Sequence, residues 1–297
     1  MDSRNRITLV VASDNNYAIL LAALLKSIEV NHKTTEALEV YIIDDGISAR
    51  NKKRLQSQID QSITNLHWRK SAEAVPKDIK IPIDRSAFPI TNYMRVFAPY
   101  IIPEGTGRYI YFDVDMIVRE DVSRLWNLDL GDKTIGAALD LVEVVSVPWS
   151  GIPNYKELGI PADTKYFNSG LMVVDVAKWR ERDITYKVME CTHAHLNAVN
   201  LADQYGLNVV LLHDWLELDR RWNNYSIWDS KDPYVIHFLD IKPIFKSYNR
   251  NKEYQAEFYK YLRLTSWKNH RPVSDYRRIF WKVQNKCKKI LRGLLES

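Results

Sequence analysis

Hydrophobic residues at the start of the chain alternate between strand-like and helix-like spacing. Short apolar runs predict buried strands at Ile7–Ala12, Leu38–Ile43 and Leu66–Arg69. Between them, helical spacing predicts helices at Ala18–Val30 and from Ser48, a candidate N-cap, to about Gln61. This order predicts an α/β fold with a doubly wound, mostly parallel central sheet flanked by helices.

The pattern continues with a helical segment at Thr91–Pro99 and strands at Arg108–Val118, Thr134–Leu139 and Gly170–Val176. Many polar side chains follow the predicted strand ends: Ser13, Asp14, Asn15, Asn16, Tyr17, Asp44, Asp45, Asp113, Asp115 and Asp140. In sheets of this type ligands bind at the carboxyl ends of strands, so we expect the functional site there.

Two carboxylates, Asp113 and Asp115, lie in the sequence RYIYFDVDMIV. In a strand, alternate side chains share a face, which would point both carboxylates the same way with Val114 between them. Such a pair suits a hard divalent cation that also binds a phosphate. The alternative is a strand that simply runs into an acidic turn.

The composition is that of a globular protein, 46% hydrophobic, and α/β domains of 297 residues are common. Cys191 and Cys287 are the only cysteines, so we predict no disulfide framework and no cysteine-rich zinc site, as in a reducing cytoplasm. The apolar run Ile7–Ala12 is too short for a signal peptide, and no stretch approaches the ~20 apolar residues of a membrane-spanning helix.

Positive charge is concentrated at the end of the chain. Residues 266–297 contain nine Lys and Arg against two acidic residues, whereas the preceding part has 33 basic and 35 acidic residues. We therefore divide the chain into a main domain, 1–265, in which we expect the functional site, and a basic tail, 266–297.

The tail has an amphipathic helical pattern. Its apolar positions fall three or four residues apart, at Val273, Tyr276, Phe280, Val283, Cys287, Ile290 and Leu294. Basic residues occupy the other faces, with Trp281 near the boundary: Arg277, Arg278, Lys282, Lys286, Lys289 and Arg292. This pattern favours an anionic membrane surface as partner, and the alternatives are docking onto the domain or RNA binding. On the membrane interpretation, deleting residues 270–297 should abolish binding to anionic liposomes and leave ligand binding by the preceding part of the chain intact.

The glycine-rich motifs of dinucleotide and P-loop sites are absent from the sequence. Instead the first strand ends in Asp14, Asn16 and Tyr17. The short polar side chains could hydrogen-bond a base or ribose and the tyrosine ring could stack on it, or Asp14 and Asn15 could cap the next helix.

Together, seven motifs resemble glycosyltransferase family 8 in order and approximate spacing over residues 6–245. They are Asp14-x-Asn16-Tyr17, Thr91-Asn92-Tyr93-Met94-Arg95, Tyr111-Phe112-Asp113-Val114-Asp115, Ala138-Leu139-Asp140, Phe167-Asn168-Ser169-Gly170, Ala202-Asp203-Gln204, and His237-Phe238 with Lys242-Pro243.

This resemblance implies the GT-A type of nucleotide-diphospho-sugar transferase fold and transfer of a hexose, glucose or galactose, from a UDP-sugar with retention at the anomeric carbon. It implies Mn²⁺ (or Mg²⁺) as cofactor and a cell-surface saccharide or lipid-linked saccharide as acceptor, with no nucleic-acid partner. With the basic tail, it leads us to expect a cytoplasmic protein, peripheral on the inner face of the cell membrane.

The resemblance also implies residue roles. The metal ligands would be Asp113, Asp115 and His237. The donor would contact Asp14, Asn16, Tyr17 and Val114 through its uridine, Arg95, Asp140 and Asn168 through its sugar, and Lys242 through its diphosphate. The catalytic candidates are Asp203 and Gln204. A carboxylate nucleophile would favour Asp203, whereas a role for the neutral Gln204 would favour attack on the face of the leaving diphosphate.

Structural alternatives exist for several of these residues. Arg95 could pair with a surface carboxylate, Asp203 and Gln204 could only begin a helix, and Asn168 could form a turn before a strand. A histidine after an apolar run, such as His237, is commonly a half-buried structural residue.

The chain departs from the family pattern at three positions: Asp240 replaces a glycine, Ile244 replaces a tryptophan, and Tyr205 replaces an aspartate. Asp240 adds negative charge near the diphosphate and puts the role of Lys242 in question. The alternative functions are a catalytically impaired nucleotide-sugar- or glycan-binding protein and, less favoured by the motif position, an Asp-x-Asp phosphatase.

Overall fold

The computed structural model describes residues 6–84, 86 and 88–296. Its strands in chain order are β1 Arg6–Asp14, β2 Ala37–Asp45, β3 Thr64–Lys70, β4 Arg108–Phe112, β5 Met116–Val118, β6 Ile135–Val144, β7 Lys165–Asp175, β8 Trp215–Glu217, β9 Asn224–Tyr225 and β10 Val235–His237.

The α-helices are α1 Ala18–Asn31, α2 Ala49–Gln56, α3 Ser71–Ala74, α4 Ser123–Trp126, α5 Val176–Glu181, α6 Ile184–Ala194, α7 Asp203–Val210, α8 Lys252–Leu262 and α9 Asp275–Glu296. Two 3₁₀ helices cover Ile90–Tyr100 and Arg220–Asn223.

A large sheet of seven strands has the order β3-β2-β1-β4-β7-β6-β8. Its pairs are parallel except for β7, which runs antiparallel to both β4 and β6. This mixed α/β architecture confirms the predicted mostly parallel sheet flanked by helices. A small sheet, β5-β10-β9, lies beside it.

Apolar layers cover both faces of the large sheet. Within β1, Leu9 and Val11 pack into the layer of α1 and α8, whereas Val10 and Ala12 face the layer of Ile90–Tyr100, α5 and α6. Because successive side chains of a strand point to opposite faces, the continuous apolar run of β1 is explained by burial on both faces.

Ser48 is the N-cap of α2, as predicted, with its hydroxyl accepting from the Asn51 backbone N–H at 3.3 Å. That helix ends at Gln56, before the predicted Gln61. Three strand predictions also need correction. Asp113 and Asp115 lie in a turn between β4 and β5, and β6 and β7 are longer than predicted, so that Asp140 and Asn168 lie inside strands.

Candidate active site

A cluster of metal-ligand type forms where the two sheets meet. Ligand atoms of Asp113, Asp115 and His237 all lie within 4.8 Å of one another. The antiparallel pairing of β5 with β10 sets His237 opposite Met116, and the Phe238 backbone N–H donates to the Asp115 carbonyl at 2.9 Å. Long-range strand pairing therefore brings the histidine to the two carboxylates.

The ring of His237 is oriented by Asn223, a residue that the sequence motifs missed. His237 Nδ1 lies 2.9 Å from Asn223 Oδ1, an acceptor, so Nδ1 carries the proton. The other nitrogen, Nε2, lies 3.3 Å from Asp115 Oδ1 and is the ring nitrogen that a cation beside this carboxylate could reach. A hydrogen bond of this kind orients a metal-binding histidine in many metal sites.

Two buried cations accompany the carboxylates. Arg95 contacts Asp113, with Nη2 to Oδ1 at 3.1 Å, and Lys242 Nζ lies 2.5 Å from Asp115 Oδ2. Burial raises the pKa of Asp113 despite Arg95. Burial would also raise the pKa of Asp115, but Lys242 and His237 outweigh it and lower that pKa below its usual value.

Gly170 makes the close approach of these groups possible. A Cβ at this position would lie 2.8 Å from Asp113 Oδ2, 2.9 Å from Asn168 Oδ1 and 2.9 Å from His237 Cε1. Any side chain would therefore push the cluster apart. The glycine in the Phe167-Asn168-Ser169-Gly170 motif is thus explained by packing at the site.

The residues present fit a divalent cation. Two carboxylates and an imidazole with an available Nε2 form the donor set, and Lys242 already places a positive charge against Asp115. Oxygen and imidazole ligands of this kind suit Mn²⁺ or Mg²⁺ rather than a thiolate-binding metal.

A buried network of three amides and one carboxylate extends from the metal-ligand cluster of Asp113, Asp115 and His237. Asn223 Nδ2 donates to Asn168 Oδ1 at 2.9 Å, and Asn168 Nδ2 donates to Asp140 Oδ2 at 2.9 Å. Gln204 closes the network, because its Nε2 donates to Asp140 Oδ2 at 3.0 Å and its Oε1 accepts from Asn168 Nδ2 at 3.1 Å. Two predicted donor contacts, Asp140 and Asn168, and the catalytic candidate Gln204 therefore belong to one connected unit.

Asp203 lies at the start of α7 beneath this network and is 1% exposed. Its Oδ2 is 2.9 Å from Arg95 Nε, so Arg95 bridges Asp203 and Asp113. Burial raises the pKa of Asp203 to about 7, although Arg95 opposes the shift. The alternative in which Arg95 pairs with a carboxylate on a helix surface is wrong, because Arg95 and Asp203 are almost fully buried and the Asp113 side chain is only 24% exposed.

The uridine candidates lie at the end of β1 and in the turn after β4. Asp14 and Val114 are almost fully buried, and Asp14 Oδ1 accepts from the Tyr17 backbone N–H at 2.9 Å. Burial raises the pKa of Tyr17, the positive charge of Lys242 opposes this shift, and the negative charge of Asp115 adds to it.

The first turns of the tail helix α9 pack against this part of the domain. The Trp281 ring meets the Tyr17 ring edge to face, with centroids 6.2 Å apart, and also contacts Phe245 at 5.6 Å. Val273 is tied to the strand-like segment at Phe245, because its N–H donates to the Ile244 carbonyl at 2.9 Å. A deletion of 270–297 would therefore remove a contact of Tyr17, so it is not a neutral test of UDP binding.

The three departures from the family pattern have clear local structures. Asp240 has φ +57°, a left-handed conformation that glycine adopts without strain. Tyr205 is fully buried, and its hydroxyl donates to Asn154 Oδ1 at 2.9 Å. Ile244 is buried in the core beside α9. Despite these departures from the family pattern, the Lys242 side chain contacts Asp115 of the metal-ligand cluster.

The Glycosyl transferase family 8 model matches residues 8–262. The chain belongs to glycosyltransferase family 8. Its similarity to General stress protein A of Bacillus subtilis is 30% identity over 283 residues, covering 87% of this chain and 94% of that protein. Glycosyltransferase GlyF of Streptococcus pneumoniae is 26% identical over 230 residues, covering 73% of this chain and 49% of GlyF.

Solved structures of the family share the GT-A fold with this chain. The galactosyltransferase LgtC, determined with donor and acceptor sugar analogs, superposes with a TM-score of 0.69 at 22% identity, covering 88% of this chain and 96% of LgtC. This glycosyltransferase thus spans almost the whole of General stress protein A and of LgtC, but about half of the streptococcal relative.

Proposed function

We propose that this family 8 glycosyltransferase transfers glucose or galactose from a UDP-sugar to a saccharide or lipid-linked saccharide acceptor, with retention at the anomeric carbon. The observation that carries the proposal is the direct link, through Asn223, between the metal-ligand cluster and the Asp140–Asn168–Gln204 network. The site thus joins groups suited to a metal–diphosphate with groups suited to sugar hydroxyls.

In this proposal Asp113, Asp115 and His237 hold Mn²⁺ or Mg²⁺, which would supply positive charge to the departing diphosphate. Lys242 donates a hydrogen bond to a phosphate oxygen and adds a second positive charge as the leaving group develops negative charge. Asp14, Asn16, Tyr17 and Val114 bind the uridine.

In this proposal Asp140, Asn168 and Gln204 bind the hexose hydroxyls. Their mutual hydrogen bonds hold these polar groups in place before the donor binds. Asp203 is engaged by Arg95 and almost inaccessible, which supports a role in positioning Arg95 rather than as a nucleophile. We therefore favour attack by the acceptor on the face of the leaving diphosphate, with Gln204 beside the reacting carbon.

Calorimetric titration with UDP tests the donor site. We expect UDP affinity to fall at least about tenfold when EDTA replaces Mn²⁺, and Asp113→Ala/Asp115→Ala to lose the metal-dependent part, because these carboxylates would hold the cation whose charge attracts the diphosphate. Asp163→Ala/Asp229→Ala, which removes two exposed carboxylates, is the matched control. Equal UDP binding with EDTA and Mn²⁺ would contradict the proposal. Release of UDP from UDP-glucose or UDP-galactose distinguishes an enzyme from a binding protein.

We further propose that the tail binds an anionic membrane surface on the cytoplasmic side. In α9, Tyr276, Phe280 and Val283 share one face and are 83%, 63% and 55% exposed, whereas Trp281 faces the domain. Exposed basic residues, among them Arg277 and Lys282, flank the apolar face. An apolar face with basic flanks suits a lipid–water interface. Among the described residues, no helix is long and apolar enough to cross a membrane.

The apolar face can be tested without disturbing the contact at Tyr17. We expect Tyr276→Ser/Phe280→Ser/Val283→Ser to bind vesicles of phosphatidylglycerol at least about tenfold more weakly, because it removes the apolar area available for burial. Val30→Ser/Trp149→Ser/Leu264→Ser, which changes three other exposed apolar residues, is the control. If both variants co-sediment with vesicles as the wild type does, the tail is not the membrane contact.

A further inference from the structure

A cavity of about 490 Å³ lies where the base of α9 meets the domain. Its walls come from the turn between β1 and α1, from α2, from the segment between α8 and α9, and from the first turns of α9. Asn16 is the one proposed donor-site residue among the residues that line the cavity. Neither the metal-ligand cluster nor the Asp140–Asn168–Gln204 network contributes to the lining. The cavity is therefore a space next to the uridine end of the proposed donor site but separate from the reacting groups.

The lining is rich in positive charge. Arg54, Lys268 and Arg277 contribute basic side chains and His270 a fourth titratable one, while the described lining residues include no carboxylate. Burial lowers the pKa of His270, and Arg277 and Arg54 lower it further, so these charges act on the same space. Like charges gathered without a counter-charge repel one another unless an anion neutralises them.

Arg54 is held in place on the cavity wall. Its guanidinium stacks on the Trp267 ring at 3.7 Å, and its Nη2 donates to the Ser266 carbonyl at 2.6 Å. Within the part of the chain that the structure describes, no ion pair is formed by Arg54, Lys268 or Arg277. A fixed guanidinium with free N–H groups is well suited to the oxygens of a phosphate.

We propose that this cavity is a second binding site, for the phosphate group of a phosphate ester. Arg54, Lys268 and Arg277 neutralise the phosphate, and the amides of Asn16 and Asn51 hydrogen-bond the alcohol part of the ester. The volume exceeds that of a bare phosphate and leaves room for a glycerol or sugar group.

The position of the cavity favours a ligand at the membrane surface. Arg277 lines the cavity and immediately follows Tyr276, which belongs to the exposed apolar face of α9. An interfacial helix lies at the level of the lipid headgroups, so the cavity would open among phosphates. The same chemistry would also recognise a soluble phosphate ester, and the two sources are separated by experiment. This part of the inference rests on the membrane contact proposed above, whereas binding of soluble phosphate does not.

The pocket variant Lys268→Glu/Arg277→Glu tests the site, because both side chains are exposed and their replacement leaves the core intact. The control is Lys282→Glu/Lys286→Glu. It changes the net charge of the protein by the same amount, but both residues lie on α9 outside the cavity. Each full-length protein is titrated with inorganic phosphate in EDTA, and separately with phosphatidylcholine vesicles with and without phosphatidic acid. Titration with UDP and Mn²⁺ reports on the donor site independently.

We expect the pocket variant to lose at least about tenfold in affinity for phosphate, or at least about tenfold more affinity for phosphatidic acid vesicles than the control loses, or both, because it removes two of the cationic groups of the cavity. The control measures the general loss of charge on α9 at the membrane surface, to which Lys282 contributes, and should bind phosphate as the wild type does. Loss in the vesicle arm alone identifies a lipid headgroup, and loss in the phosphate arm alone identifies a soluble ester. Equal behaviour of the pocket variant and the control in both arms would overturn the proposal, even if UDP binds the donor site as expected.

Discussion

Replacing Gln204 with Ala is expected to lower the rate of sugar transfer by about 100- to 1000-fold at saturating donor, the cost of losing one preorganised polar group in an active site. Gln204 Oε1 accepts from the Ser169 backbone N–H and from Asn168 Nδ2, both at 3.1 Å, and its Nε2 donates to Asp140, so truncation removes one hydrogen-bond partner from each of these residues. The measurement is the initial rate of transfer, or of UDP release from UDP-glucose or UDP-galactose.

UDP affinity provides the internal control for Gln204→Ala. UDP has no hexose, so its affinity in Mn²⁺ should change by less than about twofold, whereas transfer falls. Asn65→Ala is a matched amide deletion on the outer strand β3, where the side chain donates to Glu39 at 3.1 Å, and it should transfer sugar at the normal rate. A normal transfer rate in Gln204→Ala would remove this residue from the sugar site.

Arg95→Met is expected to reduce the free energy of unfolding by about 3–5 kcal/mol in the absence of metal. Arg95 is 3% exposed and bridges Asp113 and Asp203, so its loss leaves the buried Asp203 and the partly buried Asp113 without their counter-charge. The measurement is urea unfolding in EDTA, monitored at several pH values.

The pH dependence of this loss has a definite sign. With its pKa raised to about 7, Asp203 is protonated in the folded wild type at pH 5 and becomes charged as the pH rises. Its contribution to stability therefore falls between the unfolded pKa and about 7. Because Arg95 offsets part of that cost, Arg95→Met should be more destabilising at pH 8 than at pH 5.

Two further variants identify the cause. Arg95→Met/Asp203→Asn should recover part of the stability, since it removes one of the stranded charges. Arg124→Met breaks an ion pair with Glu120 in which the arginine is 51% exposed, and should cost less than about 1 kcal/mol. If Arg95→Met costs no more than Arg124→Met, the bridge does not stabilise the site.

The sequence predicted the first half of the fold well because β1, β2 and their helices are adjacent in sequence and buried on both faces. The strand ends were less accurate. Asp140 and Asn168 were expected after or before strands, yet β6 and β7 continue through them, because hydrogen bonds between these strands and buried partners satisfy the polar groups. Such pairing depends on residues far apart in the chain.

The site was predicted from motif order rather than from geometry. The proximity of Asp113 and Asp115 followed from their spacing, although they lie in a turn instead of a strand. No sequence pattern indicated that Asn223 would connect His237 with Asn168, because the connection depends on the pairing of β9 with β10. The amphipathic pattern of the tail likewise did not reveal that Trp281 would turn toward Tyr17.

Through its contact with Tyr17, Trp281 can affect two binding equilibria, the proposed binding of UDP and the proposed binding of the tail to a membrane. Trp281 belongs to the helix that carries the exposed apolar face, and it touches a residue of the proposed uridine site. If membrane attachment changes the affinity for UDP through this contact by some factor, bound UDP changes the affinity for the membrane by the same factor. On the proposed membrane contact and donor site, the tail would therefore link donor concentration thermodynamically to residence at the lipid surface.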